Sequence, residues 1–298
     1  MQLYLLLALS IIFAASNNLL LHKFENRGLD GLSGVLFFNA MISVVWVLLL
    51  GITSVMTGGL RIDLSSAGWG VLYGSVTAGF LLCKMQAMAS GPVSLTSFIG
   101  CASLLISTGF GVFLLHEGAS ALQTVGVALL MLALFLVVSP KNDRAKKLWK
   151  LWCGAFFVCS AAVGIIFKLH QRSEAAENIN GMMFCAAITS AVILILLSAL
   201  TAKGRKLPKP LPKSALPYLL GCGLVSCLYN RLNIFLAGSL PSVVFYPLFN
   251  GSVILISTLC GVFLFRERLK PSQTVGIIIG AAALMLASGS ADKLITLF

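Results

Sequence analysis

The sequence predicts an all-α integral membrane fold of ten transmembrane helices, built as two inverted five-helix repeats. Three observations predict it. First, 58% of the 298 residues are hydrophobic and only 10% are charged, against about 25% charged in an ordinary soluble domain. So few charges cannot cover a soluble core of this size, and disorder demands the opposite composition. Second, a membrane-spanning helix needs about 20 mostly apolar residues. Ten such runs fall near 3–22, 32–56, 67–89, 92–115, 119–139, 149–169, 181–201, 215–238, 241–264 and 271–289. Third, residues 106–126 recur at 256–276, with 12 identities in 21 positions at a constant offset of 150.

Taken in order, the first run opens at Leu3 and carries Asn17 and Asn18 near its end. A secretion signal would need a positive n-region before Leu3, and nine further runs follow. The second run contains Asn39. The third has Gly70 and Gly74 at a spacing that admits close helix packing, then Lys84 and Gln86 before the Gly91-Pro92 break. The fourth ends at Glu117, and Ser120 with Gln123 forms a capping box that opens the fifth. The sixth ends beyond Lys168, placed to reach the surface, and the seventh covers 181–201. The eighth holds Tyr229, Asn230, Arg231 and Asn233 ahead of Pro241. The ninth holds Tyr246, Pro247 and Asn250 and ends at Glu267. Pro271 opens the tenth, where Gly276 and Gly280 again permit close approach.

The links carry the charge. Lys141, Arg144, Lys146, Lys147 and Lys150 lie between runs five and six, and Lys203, Arg205, Lys206, Lys209 and Lys213 between seven and eight. The net charge of +12 thus belongs to loops held against anionic headgroups and calls for no nucleic acid. Counted over alternate links, with the adjoining run ends and the C-terminal tail, 15 Lys and Arg fall on one side and 4 on the other, which puts both termini outside. The expected units are a first repeat over 1–140, a basic linker over 141–148 and a second repeat over 149–290. Because five is odd, the second copy enters the membrane from the opposite side, a recurrent build of secondary transporters with a midplane site.

Polar side chains inside a span are costly, so each is a site candidate. If two residues are inserted before the proline, Lys84-x-Gln86 in the first repeat falls opposite Arg231-x-Asn233 in the second. Each half then offers a cation and an amide to the interface. No acid lies mid-span, so these cations call for an anionic ligand group, met bidentately by Arg231 and as a point charge by Lys84. Snorkelling of the long stems to the interface is the alternative use of both. Asn230, Tyr246, Asn250, Asn17 and Asn18 complete the candidate binding set, with packing or helix glue as their other role. Asn250 aligns with Gly100 in the first repeat, a lining position whose two copies differ. Glu117 and Glu267 end their helices and serve as turn-fixing acids, or as gates.

The ten runs, the Gly-x-x-x-x-x-Glu followed by Gln-x-x-Gly that ends each half, and Asn17-Asn18 together resemble the EamA-type drug/metabolite transporter superfamily. The resemblance covers essentially the whole chain and is strongest over 92–138 and 241–286. It implies a carrier for a small metabolite, and it implies both termini inside, against the charge count.

Enzyme signatures are missing. His116-Glu117 starts like H-E-x-x-H, but Ser120 fills the second ligand position, and no Walker loop exists. The eight cysteines form no C-x-x-C pair and read as buried thiols, so no metal or cofactor is expected. The expectation is a multi-pass carrier, monomeric, of the bacterial inner membrane. It moves an anionic or zwitterionic molecule, such as an amino acid or an organic acid or phosphate, by alternating access. An exporter of hydrophobic compounds is the alternative, and a membrane-embedded lipid enzyme a remote one.

Overall fold

The computed structural model describes residues 2–24, 29, 31–56, 59, 61–91, 93–138, 148–202, 211–265 and 270–289. Glu267, Lys141, Arg144, Lys146, Lys147, Lys203, Arg205, Lys206 and Lys209 lie outside the described residues.

The described chain is helical, with no strand among its elements. These are α1 (Gln2–Phe24), α2 (Gly31–Met56), α3 (Leu64–Ser90), α4 (Val93–Ala102), α5 (Leu104–Gly109), a π-helical turn (Phe110–Leu114) and α6 (Ala121–Val138). They are followed by α7 (Trp149–Gln171), α8 (Ile179–Thr201), α9 (Leu216–Ser239), α10 (Ser242–Phe265) and α11 (Pro271–Ala287). Eight stretches among the described residues are long and apolar enough to cross a membrane; Ala121–Val137 and Pro271–Ala287 are shorter apolar helices. At 1.5 Å per residue, the 17 residues of α11 span about 26 Å, a little under the hydrocarbon thickness of about 30 Å. Large apolar side chains such as Ile52, Val55, Leu224 and Leu228 are exposed along the outer helix faces, where only lipid makes such exposure affordable.

The fourth run is the one that departs from expectation. It is interrupted at Ser103, between α4 and α5, and widens into the π-helical turn. The Ser103 hydroxyl donates to the Gly100 carbonyl at 2.6 Å, and the Ser103 N–H also reaches that carbonyl at 3.3 Å. A side chain that satisfies a nearby carbonyl competes with the helical ladder and breaks it. Downstream, the Leu115 N–H bonds back to Phe110, and His116 turns out of the helix at φ 54°. This left-handed residue closes the helix end and delivers Glu117 into the loop.

Glycine spacing sets the tight helix pairs. A Cβ on Gly70 would lie 2.6 Å from the Met182 carbonyl and one on Gly74 would lie 2.5 Å from the Ala186 carbonyl, so α3 packs backbone-close on α8. Gly126 and Gly276 do the same between α6 and α11. Further pairings join α1 to α9, α3 to α7 and α2 to α8.

The chain direction alternates from span to span, giving two ends. One holds the N-terminus of α3, the C-terminus of α7, the 115–120 loop and the α9–α10 turn. There Asp63 caps α3, accepting from the Ser66 N–H and hydroxyl, and also takes the Asn178 amide at 2.6 Å. Those Ser66 bonds, helped by Asn178, hold the Asp63 carboxyl well below the usual carboxylate range. The other end holds the C-termini of α1 and α3.

Candidate functional site

Between the helices lies a cavity of about 440 Å³, within the size range of small-molecule sites. Its mouth is at the end where α1 and α3 finish: Asn18 is exposed and Leu21, Phe80 and Lys84 are half-buried. Its floor is formed by Phe167, Phe245 and Tyr246, all buried.

Seven of the nine residues nominated from sequence line this cavity: Asn17, Asn18, Lys84, Asn230, Asn233, Tyr246 and Asn250. Arg231 and Gln86 do not, and the expected two-cation arrangement is corrected here. Successive residues on a helix turn by 100°, so positions i and i+2 point nearly opposite ways. Asn233 faces inward and Arg231 therefore cannot; it is exposed on the lipid-side stripe with Leu224, Leu228 and Phe235. Likewise Lys84 faces the cavity and Gln86 does not. Among the described residues, Lys84 is the one charged side chain on the lining.

Much of the polar lining is already engaged. Tyr73 donates to Asn230 Oδ1 at 2.8 Å, and the Asn230 amide donates to the Ser226 carbonyl at 2.9 Å. Trp46 Nε1 reaches the Ser226 hydroxyl at 2.8 Å. Ser10 donates to Asn233 Oδ1 at 2.6 Å, joining α1 to α9. The Tyr246 hydroxyl donates to the Gly164 carbonyl at 2.6 Å, so it ties α10 to α7. The Asn250 amide bonds to the Tyr246 carbonyl one turn back, beside Pro247. Asn18 reaches Ser257 at 3.3 Å. Gly100, which the sequence aligns with Asn250, packs against the Phe156 ring instead of lining the cavity.

Three groups stand apart from this network. The buried Asn17 Oδ1 and Thr77 Oγ1 have no hydrogen-bond partner among the described residues. Lys84 Nζ lies 5.9 Å above the Phe80 ring and makes no hydrogen bond or ion pair with any described residue. A cation over an aromatic face gains modest attraction, and its three N–H donors remain free for a ligand.

Sequence reasoning missed Tyr73, Thr77, Trp46, Ser103 and Ser160, which also line the cavity. Tyr73, Thr77 and Lys84 recur at i, i+4 and i+11, and Ser226, Asn230 and Asn233 at i, i+4 and i+7. That is the inward stripe of α3 and of α9 respectively. The Ser103 break contributes a hydroxyl pair, with Ser103 and Ser160 Oγ atoms 2.6 Å apart.

Beyond the floor, the opposite end is shut by a buried ion pair. Lys168, expected to reach the surface, is only 3% exposed. Its ammonium donates to Glu117 Oε1 at 2.7 Å and to the Leu240 carbonyl at 2.8 Å. The other Glu117 oxygen accepts the Ser242 N–H, the first of α10, at 2.6 Å, and Arg172 approaches Oε1 at 3.4 Å. Burial works against the Glu117 charge, but the Lys168 ammonium and the Ser242 donor outweigh it and hold the carboxyl below its ordinary value. Glu117 thus fastens the 115–120 loop onto the end of α7 and the start of α10.

Residues 147–289 match the EamA-like transporter family. A solved crystal structure of a protein superposes with a TM-score of 0.78 at 14% sequence identity, covering 98% of this chain and 98% of its own. At that identity the likeness concerns the fold. No curated protein matches the chain.

Proposed function

We propose that the chain, whose residues 147–289 match the EamA-like transporter family, belongs to the drug/metabolite transporter superfamily and is a carrier that moves a small anionic or zwitterionic metabolite by alternating access. The observation that carries this reading is the cavity itself: one open mouth, one shut floor, and a single unneutralised cation, Lys84, on its wall. A ligand carboxylate or phosphate supplies the missing counter-charge, and the free Asn17 acceptor takes a donor such as an ammonium or hydroxyl. Lys84 alone anchors the charge, since Arg231 faces away.

The helix pairings support an inverted repeat. With α4, α5 and the π-helical turn taken as one span, α1 corresponds to α7 and α3 to α9. The contact of α1 with α9 is then the mirror image of α7 with α3, while α2–α8 and α6–α11 are self-paired. A two-fold related pair of halves can rock about such self-paired helices and exchange the open end for the shut one. In that motion Glu117 releases Lys168 and Ser242. The charge bias places the open mouth on the cytoplasmic side of a bacterial inner membrane, and one chain holding both halves suffices as a monomer.

Half-buried rings on the lining, Phe80, Phe249 and Tyr229 among them, favour a second reading, an exporter of hydrophobic compounds. Uptake into proteoliposomes separates the two. The first reading expects saturable uptake of at least one labelled carboxylate, amino acid or organic phosphate, abolished by Lys84→Met. Saturable uptake of lipophilic cations alone, indifferent to Lys84→Met, would overturn it in favour of the second.

A further inference from the structure

Position 84 has a counterpart in the second half that gives its fate when the mouth closes. Aligned on Pro92 and Pro241 with no insertion, Lys84 corresponds to Asn233 in place of Arg231, since each stands eight residues before its proline. Both line the cavity, on the corresponding helices α3 and α9. Asn233 sits toward the shut end, 4% exposed, with the Ser10 hydroxyl of α1 on its Oδ1. The residue at the repeat offset from Ser10 is Ser160 on α7, which also lines the cavity, and α7 packs on α3 as α1 packs on α9. Swapping the ends therefore presses Lys84 toward Ser160 and buries it as Asn233 is buried now. A neutral amide is content with a serine hydroxyl. An ammonium is not: a hydroxyl provides one acceptor and no charge, and a buried cation without a counter-ion is strongly disfavoured. Among the described residues the lining brings no acid to the site, whereas Lys168, which is buried already, has Glu117.

We propose that this carrier is an obligate anion exchanger, in which the mouth closes over Lys84 only when an anion occupies it. The inference rests on the carrier reading above and adds a rule to it. Loaded with a monovalent anion, the cavity is neutral and can close; empty, it keeps one positive charge and stays open where it is. The empty protein does not return across the membrane, so net flow in one direction is suppressed and one anion is traded for another. A dianion leaves one surplus charge and is disfavoured for the same reason.

The test needs no identified substrate. Leu240 is buried in the shut end, against the Lys168–Glu117 closure, so a cysteine there (Leu240→Cys) reports opening of that end to a membrane-impermeant thiol reagent. Background from the eight native cysteines is measured in the same chain without the reporter. Glu117→Gln, which breaks the closure, calibrates the fast limit. In proteoliposomes free of small organic anions, buffered with a large impermeant acid, the reporter should react slowly in the otherwise native chain. It should react at least about tenfold faster when Lys84→Met removes the charge. Lys84→Gln should repeat this if methionine is not tolerated, and Arg231→Met, on the lipid side, should leave the slow rate as it was. Equal fast rates with and without Lys84 would overturn obligate exchange and leave the carrier standing. Equal slow rates, against a fast Glu117→Gln control, would mean that the shut end does not open in the cycle, which overturns the carrier reading and exchange together.

Discussion

Two lysines on neighbouring helices, one half-buried and one buried, show how differently the two ends of the molecule are built. Lys168, at the shut end, has a carboxylate at 2.7 Å, a backbone carbonyl at 2.8 Å and almost no exposure. Lys84, at the open end, has the face of Phe80 and space. The first is a finished interaction: charge and hydrogen bonds are satisfied within the chain, so it holds the ends of α7, α9 and α10 together. The second is unfinished within the chain, and in the reading proposed above a bound anion completes it. On that reading the difference separates closure from recognition, and each can be broken without the other.

The largest effect is expected from breaking the finished pair. Glu117→Gln leaves the Lys168 ammonium buried beside a neutral amide, and losing one partner of a buried pair costs about 3–5 kcal/mol. A lowered melting temperature and a rapidly labelled shut end should both follow. Next, Lys168→Met combined with Glu117→Gln should recover most of that loss, because no lone charge remains. A double-mutant cycle on melting temperature measures the coupling, and additive losses would mean that the pair is not a unit.

Lys84→Met should run the other way. Removing a cation that has no partner leaves stability unchanged or raises it slightly, so the same substitution at residues 84 and 168 should differ in sign or size by a wide margin. If both destabilise alike, the contrast between the two ends fails.

Acidification gives a smaller and slower signature. The Glu117 carboxyl titrates below its ordinary 4.5 in the folded chain, so its contribution is complete above that value and is lost as pH falls through the folded pKa. Lowering the pH from about 7 to 5 should leave shut-end labelling unchanged, with release only in more acid solution. Opening already near neutrality would place the closure on some other group.

Much of this was legible in the sequence. Eight of the ten apolar runs appear as helical stretches long enough to cross a membrane and two as shorter apolar helices, because burial in lipid requires continuous hydrophobicity, and the capping pair Ser120 and Gln123 occurs as expected, with both reciprocal bonds near 3.0 Å. The site was legible as a neighbourhood and less so as a set of facing side chains. Pairing Lys84 with Arg231 by position ignored the direction each side chain takes on its helix; the 3.6-residue period alone separates Asn230 and Asn233 from Arg231. The Ser103 break was hidden because one serine in an apolar run shows no sign of whether its hydroxyl will turn on its own backbone. The Glu117–Lys168 closure was hidden for another reason. Its partners lie 51 residues apart and meet only through the packing of the two halves.

The most direct test of the central claim, that Lys84 holds an anion in the central cavity, is ligand-induced stabilisation of the purified protein. A compound that binds only the folded state raises the melting temperature by mass action. Benzoate, glutamate, leucine, inorganic phosphate and tetraphenylphosphonium would each be titrated against the native chain and against Lys84→Met. The account predicts that at least one carboxylate or phosphate stabilises the native chain and loses that effect without Lys84. Stabilisation by tetraphenylphosphonium alone, equal in both proteins, would contradict it.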